Sequence, residues 1–126
     1  MNTVAYEMIT TRLSHYSAGK LAKYEPAMLD ANGKYALADG TGPFIGVVEY
    51  GVDNADEMVT IVKGIYPIIA GADIAKGAKL TIDAGTVVTA VNTAADVLVI
   101  GVALAAAIEG NLASVQMVEP YILAKA

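Results

Sequence analysis

Apolar residues in this chain fall into short β-branched or aromatic runs cut by glycine, asparagine and aspartate, and two stretches show the same order of runs and turns. The first copy extends from Met28 to Lys63 and the second from Leu80 to Val118. One opens with Met28-Leu29-Asp30-Ala31-Asn32-Gly33, the other with Leu80-Thr81-Ile82-Asp83-Ala84-Gly85. A loop then leads to an apolar strand broken by one glycine: Phe44-Ile45-Gly46-Val47-Val48 in the first copy, Val99-Ile100-Gly101-Val102-Ala103 in the second. Each copy closes on an alternating run, Met58 to Val62 after Asp56-Glu57 and Leu112 to Met117 after Glu109-Gly110-Asn111. Two copies are too few for a stacked solenoid, so the pattern reads as one duplicated domain.

Runs of this length, rich in valine, isoleucine and threonine and bounded by turn chemistry, predict strands from Ala27 onward and a mainly β body, a small barrel or sandwich. Asn32-Gly33, Asp39-Gly40, Asp53-Asn54, Lys76-Gly77, Ala84-Gly85 and Gly110-Asn111 supply turn residues. Pro67 cannot donate to a ladder, so its strand is expected at an edge or interrupted there. Alanine at 103 and 105 to 107 leaves a turn of helix open as an alternative to a strand reaching Ala105. Residues 1–26 differ from the rest and read as an N-terminal arm, helical or extended, ended by Pro26. The expected organisation is therefore an arm over 1–26 and a β domain over 27–126.

Composition narrows the function. The chain has 126 residues, 56% of them apolar and 17% charged, more apolar than an ordinary soluble domain, which points to surface that a partner covers. The run from Val97 to Ile108 is too short to span a bilayer, so no membrane partner is expected, and the N-terminal pattern does not resemble a secretory signal. With no cysteine, neither disulfides nor thiolate metal sites are available. A net charge of −5 without a basic cluster argues against nucleic acid as a partner.

The inventory also argues against catalysis. One histidine, His15, and three serines, Ser14, Ser17 and Ser114, leave few nucleophile and base pairs. Ser14 and His15 are sequence neighbours and project in different directions. Asp53, Asp56 and Glu57 are read as a solvated turn, because Ala55 stands where an alternating-ligand calcium loop needs oxygen. Gly40-Thr41-Gly42-Pro43 lacks the Lys-Ser or Lys-Thr of a phosphate loop. No enzyme activity, cofactor site or metal site is therefore expected. Gly46 and Gly101 are assigned to strand bends, where a side chain would collide with a neighbour. Tyr6, Met8, Leu13, Tyr16 and Tyr24 are the candidate contact residues, since aromatic and apolar anchors carry much interface energy. Tyr35, Tyr50 and Tyr66 are assigned to the core.

The segments Ala72 to Leu80, Asp83 to Val87, Ile100 to Leu104 and Glu109 to Val115 together resemble the cement or decoration proteins of tailed-phage heads, and Met28 to Val48 resembles the barrel of small head-decoration proteins. The resemblance covers roughly residues 27–118. It implies a β-barrel or β-tulip-like domain made in the host cytoplasm and carried on the capsid exterior of the virion. There it would bind the expanded shell as a homotrimer and clamp neighbouring subunits of the major capsid protein, its partner. Two alternatives stay open: a small-molecule or carbohydrate-binding β domain with a pocket near Gly46 and Gly101, and a shell or fibre subunit that assembles by itself.

Overall fold

The computed structural model describes residues 7–126, and all of its regular structure is strand. In chain order these are β1 (Met8–Tyr16), β2 (Pro26–Leu29), β3 (Tyr35–Leu37), β4 (Phe44–Tyr50), β5 (Met58–Ile69), β6 (Lys79–Asp83), β7 (Thr86–Thr89), β8 (Val97–Ala103) and β9 (Leu112–Leu123). They form one antiparallel sheet in the order β3-β2-β4-β5-β9-β8-β6-β7, with β1 branching from β5. The two end strands are brought towards each other where the Gly85 N–H donates to the Ala38 carbonyl at 2.8 Å. The sheet is thus curled into a half-barrel, and the fold is mainly β as expected.

The strand order is a palindrome about the β5/β9 pair, which is how two copies of one motif appear when they are joined through their last strands. The match extends to single hydrogen bonds. Tyr24 N–H donates to Val48 O at 2.9 Å and Gly77 N–H to Ala103 O at 2.8 Å. Leu21 exchanges backbone bonds with Val52 as Ile74 does with Ala107, and the parallel bridge of Ser17 to Tyr35 repeats as Ala70 to Val87. Tyr24 and Gly77, like Asp56 and Gly110, are matched positions that share a positive φ. A tyrosine there is uncommon, and the repeat accounts for it: the same turn is built twice, and only the second copy uses glycine.

The repeat begins earlier than residue 28. β1 lies along the first half of β5, from Met8 opposite Ile65 to Tyr16 opposite Met58, just as the second half of β5 lies along β9, from Ile65 opposite Gln116 to Ile69 opposite Leu112. β1 therefore occupies in the first copy the place that Ile65–Ile69 occupies in the second, and β5 serves both copies, closing one and opening the other. The expected arm over residues 1–26 takes a different form wherever it is described. Residues 8–16 are a paired strand, Ser17 is buried and bonded through its N–H to Glu57 O and through Oγ to Asn54 O, and Leu21 is 1% exposed. Consecutive polar residues, Thr10-Thr11-Arg12 and Ser14-His15, conceal this strand in the sequence, because its ladder is made to β5, far along the chain.

Two apolar clusters hold the sheet. The larger gathers Phe44, Val47, Val62, Tyr66, Ile68, Leu80, Val87, Ile100 and Val115, and the smaller gathers Leu21, Ala27, Tyr35, Val48, Val59 and Ile61. Burial pushes the Tyr66 phenol up to about 12. Pro67 pairs with Ser114 of β9, and among the named ladders no second strand flanks it, so its missing N–H leaves the sheet intact. β8 ends at Ala103, and bends and turns follow it instead of a longer strand or a helix.

Candidate interaction surface

Gly46 and Gly101 occupy matched positions in β4 and β8, and the need for glycine is steric in both. A Cβ on Gly46 would stand 2.6 Å from Val62 O, and one on Gly101 2.7 Å from Gln116 O and 2.6 Å from Val115 Cγ1. Val62 and Gln116 are themselves matched positions, opposite Val47 and Val102. Each glycine thus lets its strand press against the closing strand of its own copy, and the pairing register shifts beside each of them.

The candidate contact residues separate on this frame. Tyr6 lies outside the described residues. Met8, Leu13 and Tyr16 are exposed along β1, by 63%, 47% and 49%. Leu13 and Tyr16 point to opposite faces, because Tyr16 shares its face with Met58 and Ser14 with Thr60, whereas Leu13 and His15 share theirs with Ile61 and Val59. Tyr24 is half-buried and turned inward, its ring tilted against Tyr66 at 5.7 Å between centroids. Tyr50, assigned to the core from the sequence, is 65% exposed at the end of β4. Its placement opposite Thr60, just past an irregularity in the β4/β5 ladder, turns it away from both clusters.

Tyr16, Met58 and Tyr50 consequently form one apolar patch spanning β1, β5 and β4, with Met58 54% exposed. The Ser14 and Thr60 hydroxyls bond to each other at 3.0 Å on the same face. Beside them Arg12 donates to both oxygens of Glu49, at 2.8 and 3.2 Å, which holds the guanidinium above its ordinary range. Met58 gives no signal of its own in the sequence, since methionine opening an apolar run reads as core. The turn carboxylates are engaged locally. Asp56 pairs with Lys34, and Glu57 accepts the Asn54 N–H at 2.7 Å.

A groove of about 370 Å³ opens where β1 and β9 part from each other along β5. Met8, Thr10, Thr11, Lys63, Gly64 and Ile65 line one side and Gln116 to Glu119 the other. Neither Gly46 nor Gly101 lines it, so it is not the pocket that the ligand-binding alternative places at the bends.

These features define a class of protein: a duplicated all-β module that leaves large apolar side chains exposed on several of its strands. Within that class, the chain belongs to the phage cement protein family, whose model matches residues 12–117. The matched stretch takes in most of both structural copies. Among solved structures the chain is similar to the head fiber gp8.5 N base of bacteriophage phi29, with a TM-score of 0.63 and 22% identity, covering 86% of this chain and 95% of that one. At that identity the likeness is one of fold. No curated protein matches the chain.

Proposed function

We propose that this protein is a non-enzymatic cement that binds the outer surface of the expanded capsid, as a homotrimer, and holds neighbouring major capsid protein subunits together. A structural role at the phage capsid follows from membership of the family. The finer reading rests chiefly on the patch of Tyr16, Met58 and Tyr50, three large apolar side chains left in water on one face of β1, β5 and β4. Aromatic and methionine side chains of this kind are enriched where interfaces bury their centres. The net charge of −5 suits a position outside the shell, away from packaged DNA.

The patch can be tested without disturbing the core. Tyr16→Thr combined with Met58→Thr, which keeps strand-compatible side chains opposite each other, should weaken binding to expanded heads at least about ten-fold, the equivalent of 1.4 kcal/mol, while the melting temperature stays within a few degrees of wild type. Undiminished binding by a folded double variant would remove the patch from the attachment site.

A further inference from the structure

From the repeat, we infer that Ile69, Leu104 and Leu112 form a second attachment patch, matched to Tyr16, Tyr50 and Met58, and that it docks on a second subunit of the shell. The inference rests on the capsid-attachment reading and adds the contact through which one copy of the protein reaches two subunits.

Tyr16 opposite Met58 is the last pair of the β1/β5 ladder, and Ile69 opposite Leu112 is the matched end of the β5/β9 ladder. Tyr50 lies opposite Thr60, and at the matched place the Leu104 N–H donates to Ser114 O at 2.9 Å. β4 reaches that place with one residue more than β8, Glu49, so residue numbers alone do not align Tyr50 with Leu104. All three positions are thus large and apolar in both copies, although tyrosine and methionine in the first become isoleucine and leucine in the second. None of the six belongs to either apolar cluster of the described residues. Leu112 is 39% exposed, and Ile69 and Leu104 are half-buried. The fold does not demand apolar residues on this face, since Ser14 and Thr60, beside the first patch, are polar. Apolar chemistry kept at three matched surface positions points to a surface that a partner covers.

The two patches stand at opposite ends of β5, which begins at Met58 and finishes at Ile69. At about 3.3 Å per residue a strand of this length extends up to about 36 Å, so the patches make separate contacts. A protein that holds neighbouring subunits together needs a contact for each of them. Copies of one subunit present the same surface to both, which two patches of the same chemistry suit. Charge agrees with a shared partner. Exposed Asp53 and Glu57 lie in the turn that leads into β5, and exposed Asp73 and Glu109 meet at the turn that leads into β9, where Asp73 Oδ1 accepts the Glu109 N–H at 3.0 Å. The partner surface is accordingly apolar with a basic rim, and it is met twice.

Hydroxyl-radical labelling of the wild-type protein, free and bound to expanded heads, reads both patches at once by mass spectrometry. Protection of Leu104 and Leu112 on the heads, together with Tyr16 and Met58, is the expected result. Protection of Tyr16 and Met58 alone overturns the second patch and leaves the attachment reading standing, whereas a wild-type protein that does not bind heads defeats both. Leu104→Thr combined with Leu112→Thr tests the bridge, and Leu112→Thr alone, at the more exposed position, replaces the pair if the pair does not fold. Affinity for expanded heads should fall at least about ten-fold, since two linked contacts become one. At a concentration that saturates the heads, the variant should no longer raise the temperature at which they lose integrity, as the wild type does. A folded variant that binds and stabilises heads like the wild type overturns the inference.

Discussion

Gly46→Ala is expected to lower the stability of the protein by about 2–4 kcal/mol, and Gly101→Ala by about 1–3 kcal/mol. Both changes place a methyl within 2.7 Å of a backbone carbonyl oxygen on the closing strand, an atom that cannot rotate away as a side chain can. Gly46 carries a second penalty because its φ is +147, a region that side chains rarely adopt, which is why its loss is the larger. At about 4 °C per kcal/mol the melting temperature falls by several degrees to well over ten. Gly19→Ala is the control, since a Cβ there meets nothing within 4 Å and the backbone is not in the left-handed region, so its effect should be near zero or slightly stabilising. Thermal melts of the three variants decide the matter. Equal, small shifts in all of them would show that the bends are not set by close approach.

The second large effect concerns the N-terminal segment. Leu21→Ala should cost about 2–5 kcal/mol, because the side chain is 1% exposed and fills the smaller cluster between Val48, Val59 and Ile61. Deletion of residues 1–26 removes Leu21 together with the whole β1 ladder and the bonds of Ser17 to Glu57 and Asn54. A loss of that size is comparable to the total stability of a small domain, so the truncated chain is expected to unfold. Leu13→Ala, at an exposed β1 position, should change stability by no more than about 0.5 kcal/mol. Circular dichroism and denaturant melts separate these cases. A truncated protein that melts cooperatively near the wild-type temperature would show that the segment is an independent arm after all.

The parts of this fold that the sequence reveals are those written in local chemistry. Glycine and asparagine between β-branched runs mark the turns, and the paired segments around Gly46 and Gly101 reveal the duplication. What lies hidden depends on long-range pairing. β1 reads as polar because both of its faces are solvated and its partner is β5, and β5 reads as two pieces because Lys63-Gly64 and Pro67 interrupt a strand that is continuous in space. The extension of the repeat to β1 follows from matched hydrogen bonds and not from matched side chains. Of the contact residues, Leu13 and Tyr16 are recognisable as apolar residues in a polar setting, while Tyr50 and Met58 become neighbours of Tyr16 only when β4, β5 and β1 are laid side by side. Tyr24 looks like an equivalent anchor, yet a backbone turn shared with Gly77 directs it inward against Tyr66.

The central claim is attachment to the mature shell, and co-sedimentation of the purified protein with heads that lack it tests that claim most directly, with expanded heads set against unexpanded procapsids. Saturable binding to expanded heads and none to procapsids is the predicted result. Binding to neither particle, or equally to both, would contradict it.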